Sequence, residues 1–445
     1  AKVLYGIVNV LQNSALNLYF WKRRVTLRIL IVTQYFWPEN FRINDIVDGL
    51  IERGHEITIL TGIPNYPEGK IYSGYGLFKN NRQDYHGAKV FRVPLITRGK
   101  SKGIRLVLNY FSFVFFASLL GPFLCRGHFD QIFVWETSPI TVAFPAIIMK
   151  KIKKAPLFFY VLDLWPESIS AAGGINSKKI INIVGKMVKY IYKKCDYILV
   201  QSRAFIPKIQ EMNVQKEKIL YFPSWAEELY KPIKPSIDLE RKYQLPKGFR
   251  VMFAGNIGVA QDFETILSAA EILRDYTDIH FLILGDGRRK EWVEKQIIQK
   301  NLSNTVHLLG RYPVEEMPSF FSLADVLLVT LKRDEIFSLT IPAKVQSYLA
   351  CGKPIIGALD GEGAKVIQEA EAGLVGPSQD ASTLAKNILN IYKKNESERA
   401  EMGVKGKIYG DLHFNRDILL NQLEEWMICS LDSCISNNRK SEVGI

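Results

Sequence analysis

The sequence has little cysteine and lacks several short motifs that identify common enzyme classes. Its five cysteines are an odd number, lie scattered through 445 residues and form no CxxC pair. This pattern argues against a zinc site and an extracellular disulfide framework, and it fits a reducing cytoplasm. No GxGxxG follows the first strand pattern, and no GxxxxGK[ST], HExxH or GxSxG occurs. A nicotinamide dehydrogenase and a P-loop enzyme are therefore disfavoured.

The composition is that of an ordinary globular protein. Hydrophobic residues make up 47% and charged residues 23% of the chain. These values exclude a disordered chain, a collagen-like chain and a polytopic membrane protein. At about 150 residues per domain, the length predicts two or three domains with a large core.

The positive charge lies in the first half of the chain. Residues 1–225 contain 31 Lys or Arg against 14 Asp or Glu, whereas residues 226–445 contain 27 against 31. A basic half favours an anionic partner such as a phosphate, a nucleic acid or an acidic membrane, although a solvated basic surface would give the same count. Nucleic acid is the weakest of these partners because the strand–helix pattern contains no recognition helix or base-stacking motif. We expect no nucleic-acid partner.

Two apolar stretches stand out. Residues 106–125 are uncharged over 20 positions, and residues 138–149 form a shorter run that is followed by Lys150, Lys151, Lys153 and Lys154. Both stretches fit buried helices of an α/β domain. They equally fit a pair that dips into one leaflet beside lysines that favour anionic lipid. A single full span is least favoured because strand–helix units lie on both sides. Residues 1–26 fit either an amphipathic membrane-contact helix or an extension that the fold does not need.

Apolar runs alternate with helical stretches along most of the chain, which predicts parallel sheets covered on both faces. Strands are predicted at 27–33, 56–62, 88–94, 130–136, 156–163 and 196–202, then at 249–256, 279–287, 305–311, 324–330 and 353–359. The α/β pattern restarts after a proline-containing stretch at 222–235. The predicted organisation is an extension at 1–26, one domain at 27–228, a second at 229–413, a helix at 414–430 that packs back on the fold, and a loose tail at 431–445.

Glycines follow two strands of the second domain, at Gly255–Gly258 and Gly285–Gly287. Backbone N–H groups in such turns, with a helix behind them, suit a diphosphate. Proline opens the helix of the segment 342–354, and Lys344 lies in its first turn, where the helix dipole disfavours a cation. An anionic ligand at this place would remove that conflict.

These motifs, taken in order, resemble glycosyltransferase family 4, whose members have the GT-B fold. The resemblance covers roughly residues 27–430 and is carried by TQYFWPENFRIND at 33–45, LDLWPES at 162–168, the glycine segment at 255–267 and the block at 342–354. The branch resembled contains bacterial O-antigen and capsule transferases, including N-acetyl-L-fucosamine transferases. The resemblance implies two doubly wound Rossmann-like domains facing a central cleft, and retaining sugar transfer without a metal or other cofactor.

The resemblance places the sugar donor in the second domain. It implies that Gly255 and Gly258 approach the diphosphate, that Tyr312 contacts the base and that Arg288 reaches a phosphate. The usual family cations are replaced by Asn256 and Gln261, and the usual pair of glutamates by Leu339 and Ser347. We therefore expect Lys344 to be the replacement cation. The remaining candidates for donor binding are Asp286, Arg333, Gln346 and Ser347.

The resemblance places the acceptor in the first domain. Asp163 matches a catalytic polar position and is expected to orient the acceptor hydroxyl or support the developing positive charge on the sugar. Arg42 is expected to meet an acceptor phosphate. The other candidates on the acceptor side are Phe41, Glu136, Trp165 and Glu167.

The sequence thus predicts a glycosyltransferase of the hexosyltransferase type. It is expected to move a sugar, of the N-acetylated amino or deoxyamino hexose kind, from a UDP-sugar to a sugar on a polyprenyl diphosphate. The predicted location is the cytoplasmic face of the inner membrane, as a peripheral or monotopic protein on an anionic surface. Three alternatives stay open: a non-catalytic nucleotide-sugar-binding relative, a sugar-nucleotide epimerase and a phosphorylase of the same fold.

Overall fold

The computed structural model describes residues 25–99, 103–168, 177–235 and 237–431. The predicted extension at 1–26 and the tail at 431–445 therefore lie almost wholly outside the described residues. Two compact units are present. One comprises the chain up to Asp163, Lys193–Ile198 and the chain from Leu420, and the other comprises Leu164–Tyr192 and Leu199–Leu419.

The first sheet has eight strands. They are β1 Arg28–Val32, β2 Glu56–Gly62, β3 Arg82–Tyr85, β4 Ala88–Val93, β5 Gln131–Glu136, β6 Leu157–Val161, β7 Tyr197–Val200 and β8 Ile219–Tyr221. Their order is β3-β4-β2-β1-β5-β6-β7-β8. β3 pairs with β4 in antiparallel fashion, and the pairings β4–β2–β1–β5–β6 are parallel. The central strands β5 and β6 are buried along their whole length, as continuous apolar strands covered on both faces should be.

The second sheet has six strands. They are β9 Phe249–Ala254, β10 Ile279–Leu284, β11 Val306–Gly310, β12 Val326–Thr330, β13 Ile355–Ala358 and β14 Gly373–Gly376, in the order β11-β10-β9-β12-β13-β14. All of their pairings are parallel. The predicted fold class, α/β with two largely parallel sheets, is confirmed. The predicted domain boundary at 228–229 lies between β8 and β9 and stays a prediction.

Helices connect the strands in both sheets. In the first half they are α1 Arg42–Glu52, α2 Gly103–Leu124, α3 Ala143–Lys153, α4 Lys178–Lys194 and α5 Phe205–Glu211. They continue with α6 Ile237–Lys242, α7 Phe263–Ile272, α8 Lys290–Gln299, α9 Met317–Ser322, α10 Glu335–Leu339, α11 Ala343–Ala350, α12 Glu362–Glu369, α13 Ala381–Tyr392, α14 Glu396–His413 and α15 Arg416–Leu431.

The two apolar stretches of the sequence behave differently. α3, which contains the second stretch, buries Ala143, Pro145, Ala146 and Met149, as a core helix does. α2 contains the first stretch and is the one helix of the described residues that is long and apolar enough to cross a membrane. Only 28% of its most apolar 18-residue window is buried. α2 is therefore too exposed for a core helix. It is also packed along one side, unlike a transmembrane helix that is surrounded by lipid.

The C-terminal helix α15 packs on the first unit through polar contacts. The Gln131 side chain, which is buried on β5, donates hydrogen bonds to the Met427 carbonyl at 2.6 Å and to Ser430 Oγ at 2.7 Å. Arg53 donates to Asn421 Oδ1, and His55 lies 3.2 Å from Glu424. These contacts attach α15, the last described helix, to the first sheet.

Glycines set the packing of α14 on α11. A Cβ at Gly403 would lie 2.1 Å from the Gly352 carbonyl oxygen, and one at Gly406 would lie 2.9–3.0 Å from Ala372 and Leu349 side chains. At Gly410 the nearest atom would be 3.4 Å away, an ordinary van der Waals contact. The backbones of α14 and of the end of α11 thus approach as closely as glycine allows.

We expect Gly403→Ala and Gly410→Ala to change stability in opposite directions. At 403 the methyl group would clash with a main-chain oxygen, at a cost of about 1–3 kcal/mol. At 410 the methyl group fits and alanine favours the helix by up to about 1 kcal/mol. Urea unfolding followed by circular dichroism measures both, and equal effects of the two substitutions would contradict this account of the packing.

Candidate functional site

The turns that follow β9 and β10 hold each other in place. The Gly255 N–H donates to the Leu284 carbonyl at 2.9 Å, and the Ile257 N–H donates to the Asp286 carbonyl at 2.8 Å. The Arg289 N–H, just ahead of α8, donates to the Ile257 carbonyl at 3.0 Å. Both turns lie at the carboxyl ends of adjacent parallel strands, which is where α/β sheets bind ligands.

Glycine is required in these turns. Gly285 has a φ of +141°, and a Cβ there would lie 1.8 Å from the Gly255 carbonyl oxygen. A Cβ at Gly287 would lie 2.4 Å from the Ile257 carbonyl oxygen. The two turns can come this close only because no side chain separates them.

Lys344 reaches these turns from the first turn of α11. Its Nζ lies 3.5 Å from the centre of the Phe253 ring. A Cβ at Gly255 would stand 2.7 Å from Lys344 Cε and 2.9 Å from Nζ, so the absence of a side chain at 255 makes room for the lysine. The side chain thus lies against the first of the two glycine turns.

The ammonium of Lys344 is buried. Its Nζ has no hydrogen-bond partner among the residues that the structure describes. Burial lowers the pKa of this group from its ordinary 10.5 to about 7, because an ion in an apolar setting is disfavoured. A buried polar atom without a partner requires an explanation, and an anion bound at the turns would provide one.

Two amide side chains lie beside the same turn. A Cβ at Gly258 would be 2.5 Å from Asn256 Nδ2 and 2.9 Å from Gln261 Oε1. Gln261 Oε1 is buried and, like Lys344 Nζ, has no hydrogen-bond partner in the described part of the chain. The structure thus brings Gly255, Asn256, Gly258 and Gln261 together around one turn, with Lys344 against its first residue.

The other predicted donor residues have varied surroundings. Asp286 joins the two turns through its main chain, and Arg288 is exposed just beyond them. The Tyr312 ring packs against Tyr243 and Phe320, at 5.1 and 4.6 Å between ring centres.

Three predicted donor residues hold contacts of their own. Arg333 donates to the Ser378 carbonyl at 3.0 Å and lies 3.7 Å from Asp360. Gln346 is buried and donates to the Ser224 carbonyl at 2.7 Å, and Ser347 donates to the Ala343 carbonyl one helical turn back. The geometry therefore gives these three residues structural contacts, and Lys344 remains the cation that faces the glycine turn.

Asp163 lies in a turn built around a buried carboxylate. Glu136 Oε2 accepts from the N–H groups of Leu162 at 2.9 Å and of Asp163 at 3.0 Å. Asp163 itself accepts a short hydrogen bond from Ser138 Oγ. Glu136 has no exposed surface, and burial together with the nearby Asp163 raises its pKa well above the ordinary value. Glu136 Oε2 therefore supports the turn from within, whereas Glu136 Oε1 has no hydrogen-bond partner among the described residues. Its role beside an acceptor stays a prediction.

The remaining predicted acceptor residues are half-buried. Phe41 packs against Tyr35 and Tyr66, with ring centres 5.4 and 5.0 Å apart, and Arg42 follows it at the start of α1. Trp165 and Glu167 follow the Asp163 turn in the chain, and burial raises the pKa of Glu167.

Sequence reasoning missed several residues of these sites. Glu39 accepts a hydrogen bond from the Tyr66 N–H, and Ser138 donates one to Asp163. Tyr348 accepts from the Ala254 N–H at 3.2 Å. Glu39 offered a signal, since it is a carboxylate set among aromatic residues in the segment 33–45. The sequence around Ser138 and Tyr348 gives no such signal. The partner of Ser138 is distant in sequence, and the partner of Tyr348 is a main-chain N–H group.

Comparison with known proteins agrees with this geometry. Residues 237–408, which contain all of the glycine turns and Lys344, match the family described as Glycosyl transferases group 1. The chain is 24% identical over 338 residues to a protein of Escherichia coli K12 named as the colanic acid biosynthesis glycosyl transferase WcaI, covering 73% of this chain and 82% of that protein. It is 28% identical over 238 residues to the glycosyltransferase WbjE of Pseudomonas aeruginosa, covering 52% and 58%.

Solved structures share the fold. The Anabaena protein HepE, crystallised with UDP, superposes with a TM-score of 0.66 at 16% identity, covering 90% of this chain and 99% of that one. A sucrose-phosphate synthase from Thermosynechococcus elongatus superposes with a TM-score of 0.68 at 16% identity, covering 92% and 100%. The fold is GT-B, as the sequence predicted. The family match and the named relatives together support a glycosyltransferase.

We expect the binding of a nucleotide-sugar to weaken as the pH rises above 7. With a pKa of about 7, Lys344 is charged below that pH and neutral above it, whereas a bound diphosphate raises its pKa and keeps it charged. Binding should therefore take up a proton above pH 7, and the affinity should fall by up to about tenfold per pH unit until the pKa of the complex is reached.

Calorimetry between pH 6 and 9, in two buffers of different ionisation enthalpy, measures the affinity and the proton uptake. Lys344→Met should bind weakly with no proton uptake, whereas Lys386→Met, which changes an exposed lysine on α13, should behave as the unchanged protein. The same pH dependence in Lys344→Met would show that another group titrates.

Proposed function

We propose that the protein is a retaining, metal-independent glycosyltransferase of family 4. It transfers an N-acetylated amino or deoxyamino hexose from a UDP-sugar to a sugar on a polyprenyl diphosphate during the assembly of O-antigen, capsule or exopolysaccharide. The observation that carries the proposal is the buried Lys344 ammonium at the glycine turn, which has no hydrogen-bond acceptor among the described residues. The names of relatives that act in colanic acid and amylovoran biosynthesis support the class of product.

The donor diphosphate is proposed to occupy the space beside Gly255 and Gly258. Main-chain N–H groups and Lys344 would stabilise the negative charge that grows on the diphosphate as it leaves. A uridine nucleotide is proposed because HepE was crystallised with UDP and with UDP-glucose. Asn256 and Gln261 would then contact the same phosphates by hydrogen bonds in place of charges.

The acceptor hydroxyl is proposed to meet Asp163. In the transfer the bond from the anomeric carbon to the diphosphate breaks, a bond from the acceptor oxygen forms on the same face, and the hydroxyl proton passes to the leaving phosphate. Asp163, held by Ser138 and by the Glu136 turn, would orient the hydroxyl and stabilise the positive charge on the sugar ring. The reaction then needs no separate base.

A transfer assay tests the proposal directly. The purified protein is given UDP-, GDP- and dTDP-sugars with farnesyl-diphosphate-linked N-acetylglucosamine as the acceptor. One UDP-sugar should be transferred with its anomeric configuration retained. Lys344→Met should lose about a hundredfold or more in kcat/KM, as expected when a stabilising donor is removed, and Lys386→Met should lose nothing.

Other results of the assay point to other functions. Nucleotide-sugar binding without transfer or donor hydrolysis would favour a non-catalytic relative. Conversion of the sugar nucleotide without an acceptor would favour an epimerase. Transfer that is equally fast in Lys344→Met would contradict the role of this lysine.

The acceptor lipid is proposed to meet the protein on an anionic membrane, on its cytoplasmic face, through α2. The helix buries Asn109, Phe113, Ala117 and Gly121 against the first unit. The opposite side exposes a stripe of large apolar side chains, which we call the α2 stripe: Ile104, Leu108, Phe111, Phe115, Leu119 and Phe123. Soluble proteins rarely expose so continuous an apolar patch, and such patches mark interaction sites.

Charge favours a lipid surface as the partner of the α2 stripe. Arg105 lies in the first turn of α2 and Arg126 follows its end. Lys151 and Lys154 are exposed at the end of α3, which packs against α2. An apolar stripe beside cations is typical of a helix that lies in the interface of an anionic bilayer. We propose that α2 lies in the bilayer interface and does not cross it, because its buried side packs on the sheet, with Gly121 directly against Leu60.

We expect the α2 stripe to bind vesicles of phosphatidylcholine with phosphatidylglycerol. The triple variant Phe111→Ser, Phe115→Ser and Phe123→Ser removes three large exposed rings and should weaken sedimentation with these vesicles at least tenfold. Ile298→Ser, which changes an equally exposed apolar residue on α8, should leave it unchanged. Equal binding of the triple variant would contradict the membrane contact.

A further inference from the structure

Three aromatic rings meet beyond the carboxyl ends of β1 and β2. The Tyr35 ring stacks on Phe41 with ring centres 5.4 Å apart, Tyr66 lies 5.6 Å from Tyr35, and Phe41 lies 5.0 Å from Tyr66. Tyr35 is buried, whereas Phe41 and Tyr66 are half-buried. We call these three residues the ring cluster.

A guanidinium lies on the ring cluster. The Arg98 group is 4.7 Å from the centre of the Tyr66 ring and 5.8 Å from that of Tyr35. The Arg98 N–H donates to Asn65 Oδ1 at 3.1 Å, which fixes the backbone of Arg98 beside the loop that carries Tyr66. Partly exposed rings with one cation form a surface that is apolar in its centre and positive at its edge.

The ring cluster is held from below by one buried carboxylate. Glu39 Oε1 accepts from the N–H groups of Asn65 at 2.8 Å and of Tyr66 at 2.7 Å, and Oε2 accepts from the Phe36 N–H at 3.2 Å. Glu39 thus joins the loop after β1, which carries Tyr35 and Phe41, to the loop after β2, which carries Tyr66.

This arrangement of Glu39 is costly for the fold. Its side chain is 1% exposed, and its hydrogen-bond partners in the described part of the chain are main-chain amides. Burial raises its pKa to about 7. An ionisable group buried in this way costs stability that an apolar residue would not, so its presence here points to a need for fixed loop geometry.

The ring cluster also connects to the α2 helix. Asn109, a polar residue on the buried side of α2, accepts from Gln34 Nε2 at 2.8 Å and from the Tyr35 hydroxyl at 3.4 Å. Asn109 Nδ2 donates to the Ile96 carbonyl at 2.6 Å. The ring cluster is therefore fixed to the helix whose other side carries the α2 stripe.

We infer that the half-buried Phe41 and Tyr66, with the Arg98 guanidinium, bind the sugar ring and phosphate of a lipid-linked saccharide, and that Glu39 is the positioning residue that sets this subsite. The inference rests on the proposed function and deepens it. A pyranose ring presents an apolar C–H face that packs on aromatic rings. A guanidinium matches phosphate oxygens in pairs. The link through Asn109 sets the subsite beside the helix that would contact the lipid.

Steady-state kinetics with both substrates varied tests this inference. Tyr66→Ala and Glu39→Gln should raise the KM for farnesyl-diphosphate-linked N-acetylglucosamine at least tenfold and leave the KM for the UDP-sugar within twofold. In Glu39→Gln the amide NH₂ group would face one of the three N–H donors, so the loops would shift although the side-chain volume is kept. Tyr66→Phe, which keeps the ring, should restore the acceptor KM.

A control separates positioning from loss of fold. Phe78→Ala changes an almost fully exposed ring in the same unit and should leave both KM values unchanged. Each variant is checked by thermal unfolding. Variants that stay folded at the assay temperature but alter the KM for the UDP-sugar, and not the KM for the acceptor, would overturn the inference.

Failure of the proposed function would be recognised separately. If the unchanged protein transfers no sugar, calorimetry with the same farnesyl-linked saccharide still tests the subsite. Binding that weakens at least tenfold in Tyr66→Ala would support it, and either no binding or equal binding by the unchanged protein and Tyr66→Ala would overturn it.

Discussion

The second unit depends on one constraint, a buried ammonium that has no hydrogen-bond acceptor in the part of the chain that the structure describes. Lys344 can occupy its place only because residue 255 has no side chain, and the turn at 255 can take its shape only because Gly285 lets the next turn approach. The position of Lys344 depends in turn on α11, which α14 meets through its glycines. The close packing of the glycine turns, α11 and α14 thus holds the Lys344 ammonium in an apolar environment that disfavours its charge. An unfavourable setting for a free ion is a favourable one for an ion pair, since the same exclusion of water strengthens the attraction to a bound phosphate.

Much of the fold follows from patterns in the sequence. The eleven predicted strands all occur, with ends that move by a few residues, because continuous Val, Ile, Leu and Phe runs between glycines specify buried parallel strands. The glycine turns and Lys344 were also predictable, since turn chemistry and the position of a cation in a first helical turn are local properties. β3, β8 and β14 were missed. β3 reads RQDY and is an antiparallel edge strand, and β14 reads GLVG, so neither has the apolar run that identified the others.

The side-chain contacts that could not be predicted are those between residues that are distant in sequence. Glu136 Oε2 accepts from the Leu162 and Asp163 amides, and nothing in the sequence around Glu136 predicts these two hydrogen bonds. Gln346 lies two residues from Lys344 and yet faces a carbonyl of the segment before the second sheet. For α2 the composition shows an apolar helix, but only the packing of Phe113 and Gly121 shows which side faces water. Local patterns identify candidate groups, and long-range packing decides which of them are accessible.

The exposed rings of α2 have a practical consequence for anyone who handles the protein. Six large apolar side chains on one face of α2 are exposed in the described part of the chain, so in water without lipid two molecules can lower their free energy by covering each other's helices. Apparent size in solution should then vary with concentration and with detergent. If the same side chains contact the membrane, a substitution that reduces self-association in water also weakens the contact with the membrane that carries the lipid-linked substrate. The same residues would then determine both the solubility of the protein in water and its binding to the membrane, so a substitution that improves the first weakens the second.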